Sequence, residues 1–431
     1  MISTSEWPIF WEKNRVIRLI YIIFTCLLLL SRFASGLKWL TGLYSDSTDD
    51  NSSSELFCDN LKGLNRRQIE ICKRNFELME PALHGTRLAV AECEFLFVQR
   101  RWNCSGLGKS MISASNDNRK RSHNRTTNIP PSGTREAAFV HALISASISY
   151  SVTKACSRGD LATCGCDQSD LGPAKDFQWE GCSDNIHFGL AFSKAFMDAR
   201  ELAILHSNKH SNRMKARAAV NLHNNYAGRQ VAIENVRLRC KCHGISGSCD
   251  LKTCWKVHPS IRTFGKIFRN KFDTAREVKA DWILNYNGKD ELFDILNEER
   301  SNTLHGSKSD LRPVKSDSKQ RNLLYQKRDN REDNRHSGYL MNFEHNFQDL
   351  IYIRPSVNYC EPDEKHQSFG THGRACNRSS IGPGSCEHLC CDRGFQTKMI
   401  QKEYDCLCEF TWCCEVQCKK CLKQTQLDVC L

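Results

Sequence analysis

Twenty-five cysteines, and above all their placement, constrain this 431-residue chain more than any other feature. Cys26 sits in an apolar stretch near the N-terminus. The other 24 fall into two blocks, twelve from Cys58 to Cys254 and twelve from Cys360 to Cys430, with none between. Even numbers on both sides fit two units that each close their own disulfides. In the second block twelve cysteines occupy 71 residues, above the roughly 8–10% that marks a disulfide scaffold. So little apolar sequence lies there that crosslinks must supply most of the stability, and short stapled hairpins are expected, with one short helix near 384–391. Zinc is the competing reading, since Cys240-Lys241-Cys242-His243 offers ligand types. Zinc sites, however, usually pair two C-x2-4-C knuckles in a reducing compartment.

The N-terminus points to an oxidising compartment. Lys13, Arg15 and Arg18 precede the twelve-residue apolar run Leu19–Leu30, and small residues Ala34, Ser35 and Gly36 follow it. A run that short does not reach the roughly 18 residues of a membrane helix, so residues 1–36 read as a cleaved secretory signal rather than an anchor. Asn51, Asn103, Asn124 and Asn377 each begin an N-x-S/T sequon, which carries glycan only on a secreted chain. Lys plus Arg is 61 and Asp plus Glu is 49, a net charge of +12. That excess favours acidic partners: heparan sulfate proteoglycans, anionic lipid or nucleic acid. Secretion selects the glycans of the extracellular matrix and sets nucleic acid aside.

The fold class expected is a mainly α N-terminal domain with a disulfide-stapled β-hairpin, followed by a small cystine-rich C-terminal domain of short β-hairpins. The division places a helical domain at 37–283, a polar linker at 284–347 rich in Ser, Asn, Lys, Arg and Asp, and the cystine-rich domain at 348–431. A second polar stretch, 107–132, reads as an exposed loop. Leu88, Ala89, Cys93, Leu96 and Phe97 recur at helical spacing. Residues 134–155 form an Ala-rich stretch with Thr134 as N-cap, residues 186–203 carry Phe188, Phe192, Phe196 and Met197 along a stripe, and a further helical pattern runs from 211 to 235.

Two segments concentrate the chemistry. In Cys240–Trp255, pairing Cys242 with Cys249 inside Cys240 with Cys254 would close a hairpin twice, with Gly244 and Gly247 permitting a tight turn and Ser246 at its tip. Three readings of Ser246 stand: a plain turn residue, a hydrolase nucleophile, or a covalently modified serine. A nucleophile elbow requires G-x-S-x-G between strand and helix, and here Ser248 stands where its second glycine belongs. In Cys406–Cys421, nested pairs Cys408–Cys418 and Cys406–Cys421 would make another stapled hairpin, with Phe410, Trp412 and Val416 near its tip and adjacent Cys413 and Cys414 open to a vicinal bridge.

The decapeptide Cys-Lys-Cys-His-Gly-Ile-Ser-Gly-Ser-Cys (240–249) resembles the signature of the Wnt family of secreted, lipid-modified signalling glycoproteins. Arg100–Ser105 (RRWNCS), Gly133–Phe139 (GTREAAF), Trp179–Asn185 (WEGCSDN), Asn221–Asn225 (NLHNN), Lys271-Phe272-Asp273 and the C-terminal cysteine pattern resemble other family blocks. Together they cover about 55–283 and 348–431. Residues 134–204 are also similar to the vertebrate Wnt-four type, which leaves the subfamily open.

The resemblance implies a ligand and not an enzyme, with no cofactor or metal. It implies a palmitoleoyl group on Ser246 installed by the acyltransferase Porcupine, a Wntless carrier, and insertion of the lipid into the cysteine-rich domain of a Frizzled receptor with Ile245 and Gly247 alongside. Phe410, Trp412, Val416 and a Cys413–Cys414 vicinal bridge would make the second receptor contact. It further implies the disulfides Cys93–Cys104, Cys156–Cys164, Cys166–Cys182, Cys360–Cys391, Cys376–Cys386 and Cys390–Cys430, leaving Cys58 and Cys72 for each other. Thr411, Glu415 and Tyr226 depart from the residues relatives commonly carry there. The 284–345 insertion interrupts the region through which the family contacts a low-density-lipoprotein-receptor-related co-receptor.

Overall fold

The computed structural model describes residues 54–61, 64–104, 107, 133–286, 349–363, 368–412 and 415–431. The expected signal segment 1–36, the sequons at Asn51 and Asn124, nearly all of the two polar stretches, Cys413 and Cys414 lie outside them. Among the described residues no helix is long and apolar enough to cross a membrane.

Helices α1 (Ser54–Asn60), α2 (Arg66–Arg74) and α3 (Met79–Phe97) open the fold, and α4 (Arg135–Arg158) forms its axis. The α4 ends are fixed locally: the Thr134 side chain accepts from the Ala137 amide, and Gly159, at φ 77°, turns the chain out in the left-handed region. Between those ends the sequence is mostly Ala, Ser and apolar residues, with His141, Thr153 and Lys154 among the exceptions, and nearly every side chain is buried. A helix apolar all round must be surrounded. It is: α3, α5 (Ile186–Leu205), α6 (Asn212–Glu234) and α7 (Ile261–Asp273) all pack on it. Small residues bring the backbones close. A Cβ on Gly228 of α6 would lie 2.1 Å from the Ala142 carbonyl oxygen, so only glycine fits that crossing.

The bundle also buries charge. Arg229 on α6 pairs with Asp198 on α5 at 2.7 Å, with both side chains under 5% exposed. Asn225 and Ser145 complete the carboxylate's and the guanidinium's bonds, and His141 faces Asn225 at 3.1 Å. A satisfied network of this kind fixes the mutual rotation of three helices. At one end Phe97, Trp102, Phe139 and Phe272 form an aromatic cluster, with Arg100 over Phe97 and bidentate to Asp273 at 2.6 and 2.7 Å. Two of the family-like blocks, RRWNCS and KFD, therefore meet in space.

Short strands β1 (Gly172–Pro173) and β2 (Gln178–Trp179) join β3 (Arg237–Cys242) and β4 (Lys252–Val257) in a sheet of order β1-β2-β4-β3. Helix α8 (Ala280–Tyr286) runs past 283, where the sequence division starts the linker. Residues 349–359, which that division gives to the C-terminal block, instead add Leu350 and Tyr359 to the main helical core. There β6 (Ile351–Tyr352) pairs with β5 (Arg276–Glu277). The reason is local: Asn224, on buried α6, exchanges bonds with both the N–H and the C=O of Ile351, holding that segment to the helix.

The cystine-rich part has almost no core of its own; Cys386, Leu389, Cys390 and Cys430 make its only buried cluster among the described residues. Strands β7 (Pro362–Asp363), β8 (Ser368–Phe369) and β9 (Ala375–Cys376) are two residues each, and the helical turn α9 (Cys386–Leu389) is capped by Ser385. From this base rises one long hairpin, β10 (Phe395–Thr411) and β11 (Glu415–Cys430), much longer than the 406–421 segment singled out in the sequence. A two-stranded ribbon exposed on both faces is marginal in water unless it is crosslinked. Arg374 ties the base to the helical part, donating to the carbonyls of Arg101 at 2.7 Å and Val98 at 3.1 Å, while Arg101 donates to the His388 carbonyl.

Eleven disulfides join described residues. In the helical part they are Cys58–Cys72, Cys93–Cys104, Cys156–Cys164, Cys166–Cys182, Cys240–Cys254 and Cys242–Cys249. In the cystine-rich part they are Cys360–Cys391, Cys376–Cys386, Cys390–Cys430, Cys406–Cys421 and Cys408–Cys418. None of these crosses between the two parts, which are joined by hydrogen bonds such as those of Arg374 and Arg101 and by the chain running from Tyr359 in the helical core into Cys360. Each bridge has a local task. Cys156, in the last turn of α4, holds Cys164 just beyond the Gly159 turn, and Cys166–Cys182 closes the loop that carries β1 and β2. Neighbouring Cys390 and Cys391 follow α9 and bond in different directions, to the C-terminal Cys430 and back to Cys360.

Candidate functional site

The first hairpin is built from its base. Asp184, buried, accepts from Lys154 Nζ at 2.6 Å and Ser157 Oγ at 2.7 Å, both on α4, and from the His258 amide at 2.6 Å where β4 ends. Its own amide donates to the Lys256 carbonyl at 2.8 Å. One carboxylate thus fastens the sheet to the central helix. His258 follows directly, packed between Tyr150 and Phe264, and burial pushes its imidazole down to about 4, with Asp184 opposing.

Above the base, Cys240–Cys254 crosses between directly opposed residues of β3 and β4, and Cys242–Cys249 closes the loop beyond. The loop is a single 3-10 turn, Ile245–Gly247. Gly244 donates its amide to the Ser248 carbonyl at 2.9 Å, and its own carbonyl accepts from Gly247 at 2.9 Å. A Cβ at position 244 would lie 2.0 Å from Ser248 Oγ, which is why glycine stands there.

The two tip serines are not equivalent. Ser248 is half-buried and its hydroxyl donates to Asp250 Oδ2 at 2.7 Å. Ser246 is exposed, sits at φ 57° in the left-handed region, and its hydroxyl has no hydrogen-bond partner among the described residues. A non-glycine residue in that region costs about 1 kcal/mol or more, so the bridges hold the serine outward against a local preference. Ile245 beside it is 93% exposed. Leu251, missed by the sequence reading, adds exposed apolar surface just below. Its signal is an apolar residue flanked by charges two positions after the loop-closing cysteine.

Among the described residues no catalytic base or acid contacts Ser246. The nearby imidazole, His243, engages Thr253 Oγ1 at 2.8 Å, and Asp250 is taken by Ser248. Neither contacts Ser246, so the hydrolase reading fails on geometry. Zinc fails too: Cys240 and Cys242, the sulfurs it would need, are both in disulfides.

On the second hairpin Cys406–Cys421 and Cys408–Cys418 staple the upper shaft. Phe410 and Val416 are directly opposed in register and so share a face. Phe410 is 70% exposed, and Trp412, at the turn, is 92% exposed. Leu407, also unanticipated, protrudes at a β-bulge between the two stapled cysteines, at φ 46°. The pattern Cys-Leu-Cys carries that signal, because the flanking sulfurs are both committed across the ribbon. Of the sequons, Asn377 is exposed and Asn103 half-buried beside the bridged Cys104.

The Wnt family model matches residues 60–431. Protein Wnt-1 of Caenorhabditis elegans is 34% identical over 420 residues, 94% of this chain and 97% of that protein. Protein Wnt-3a of Homo sapiens is 34% identical over 379 residues, 88% of this chain and 90% of that protein. Among solved structures, the chain is similar to human WLS in complex with WNT8A, at 29% identity over 82% of this chain and 94% of that one, TM-score 0.49. Family model and relatives together cover nearly all of the sequence in which the two stapled hairpins lie, and this chain belongs to the Wnt family of secreted signalling ligands, which are not enzymes.

Proposed function

We propose that the chain is palmitoleoylated on Ser246 and presents that lipid to the cysteine-rich domain of a Frizzled receptor, with the tip of β10–β11 making a second contact. The observation that carries this reading is the contrast between the two serines: Ser246 is exposed and unbonded at the apex of a doubly bridged turn, whereas Ser248 is engaged below it. An acyltransferase such as Porcupine needs an accessible hydroxyl, and only one of the pair is open. Burying an acyl chain is worth about 0.8 kcal/mol per methylene, so on the order of ten give about 8 kcal/mol gross. That is enough to dominate one contact, and it makes the free ligand membrane-seeking, which calls for a carrier of the Wntless kind.

Trp412 and Phe410 supply the other half. Large aromatics standing nearly free of the protein are the residue types that dominate binding energy when a partner covers them. A low-density-lipoprotein-receptor-related co-receptor completes the assembly, as the family resemblance implies, and the net charge of +12 suits retention on heparan sulfate proteoglycans. The products of such binding are signalling outputs in development and cell fate; no bond is made or broken by the ligand.

The test compares full-length Ser246→Ala and Ser248→Ala proteins for binding to an isolated Frizzled cysteine-rich domain. Loss of a term near 8 kcal/mol predicts that Ser246→Ala binds on the order of a hundred-thousandfold more weakly (about 1.4 kcal/mol per tenfold) while Ser248→Ala binds normally. Equal binding by both variants would remove the lipid from the mechanism.

A further inference from the structure

We propose that the outer edge of the first hairpin is a docking strip for a linear sulfated polysaccharide, read by Arg237, Arg239 and Lys241. This deepens the glycan reading above and does not depend on acylation of Ser246.

The strip follows from strand geometry. In the order β1-β2-β4-β3, strand β3 is the edge. Side chains two apart in a strand share a face, so Arg237, Arg239 and Lys241 stand in one row about 7 Å apart, about 14 Å end to end. All three are exposed, and none has an ion-pair partner among the described residues. Their direct cross-strand neighbours on β4 are Val257, Trp255 and Thr253, none of them charged. The β2 positions beyond them, Gln178 and Trp179, are uncharged as well.

Three cations held in register without compensating acids cost the fold self-repulsion and return nothing to it, which is the mark of a surface shaped for an anion. The row is one residue wide and bounded inward by uncharged side chains. That shape matches a polymer with charges recurring along its length better than a plane of lipid headgroups. Two of the three are arginines, whose planar fork takes sulfate and carboxylate bidentately. The compartment supplies such a polymer, since the family is secreted.

Lys241 is one residue from Cys242, the inner bridge below the Ser246 turn, yet the strip lies on the shaft and the serine at the apex. A glycan lying along β3 therefore leaves the tip open, so the ligand can be held on the matrix with its acyl group still available to a receptor.

The experiment uses full-length protein, in wild-type and Ser246→Ala backgrounds, and a size-defined heparin oligosaccharide as probe. In the first variant Arg237, Arg239 and Lys241 are all replaced by Gln. A charge-matched control replaces Lys398, Lys402 and Lys423, three exposed strand lysines of the other hairpin, by Gln. Each cation at an anionic surface contributes about fivefold, so the β3 variant loses on the order of a hundredfold in affinity and the log-affinity against log-salt slope falls by about two. The control stays near wild type, and Arg237→Lys with Arg239→Lys, which keeps the charges but loses the bidentate forks, keeps the wild-type salt slope while affinity falls severalfold, showing that the edge strand still folds. Both backgrounds give the same ratio. A control loss equal to that of the β3 variant overturns the site, as does a β3 effect confined to phosphatidylserine vesicles. Wild-type protein that ignores the oligosaccharide overturns the glycan reading itself. Acylation is scored separately by mass, so its failure is distinguishable from either.

Discussion

Removing the inner bridge, by Cys242→Ser with Cys249→Ser, tests whether the Ser246 turn is held by covalent closure. The bridge spans a sequence separation of only 7 residues, and Cys240–Cys254 below it spans 14. On the chain-entropy account, closing a loop of that size is worth about 2 kcal/mol, a factor of roughly thirty in the population of the ordered turn. The opposing cost is visible at Ser246, whose left-handed backbone would relax once freed. Only the loop should open, because the β3–β4 ladder and the Asp184 clamp remain. Hydrogen exchange reads this directly: the amides of Gly244, Gly247 and Ser248, which donate within the turn, should exchange roughly thirtyfold faster, with β3 and β4 amides unchanged. Acylation of Ser246 and receptor affinity should fall with them. Unchanged protection in the turn, or full acylation and affinity in spite of lost protection, would refute the claim that rigidity presents the serine.

Other outcomes follow from the same structure. His141 is fully buried and burial pushes its imidazole down to about 4, as it does for His258. Because the unfolded residues take up protons near 6.5 and the folded ones do not, this contribution is complete above that pH and is lost as pH falls toward 4. It amounts to about 3 kcal/mol for each histidine, measurable as a declining denaturation midpoint between pH 7 and 4.5. Gly228→Ala should destabilise the bundle by about 3 kcal/mol in thermal unfolding, since the added methyl meets the backbone oxygen of Ala142 rather than a movable side chain. Trp412→Ala should leave the melting temperature unchanged, the ring being 92% exposed, while weakening receptor-domain binding by about thirtyfold or more in an equilibrium titration.

Much of this fold is legible in local sequence. Thr134 and Ser211 cap the helices that the periodicity places after them, and Ser385 does the same for the short turn in the cystine-rich part. Phe264, Phe268 and Phe272, all buried at four-residue spacing, carry the same kind of signal for α7, which the sequence reading above did not use. What the sequence cannot convey are relations that only close in space. Cysteine spacing permits too many pairings: nothing local says that Cys391 turns back to Cys360 while adjacent Cys390 reaches Cys430, or that Cys164 and Cys166 bond on opposite sides, to Cys156 and Cys182. Asn224 gives no hint that it will hold residue 351, and Asp184 none that it will join α4 to β4. The difference between Ser246 and Ser248 is likewise invisible in Gly-Ile-Ser-Gly-Ser, where both serines look like turn residues. It emerges because Gly244 folds under Ser248 and Asp250 takes that hydroxyl.

The central claim is that the open hydroxyl at the apex carries a fatty acyl ester. Mass measurement of the disulfide-linked peptide spanning 242–254, from secreted wild-type protein, addresses it without any mutation. A mono-unsaturated long-chain acyl mass on that peptide, with fragment ions placing it on Ser246 and leaving Ser248 free, is the expected result. An unmodified peptide from fully active ligand would contradict the account.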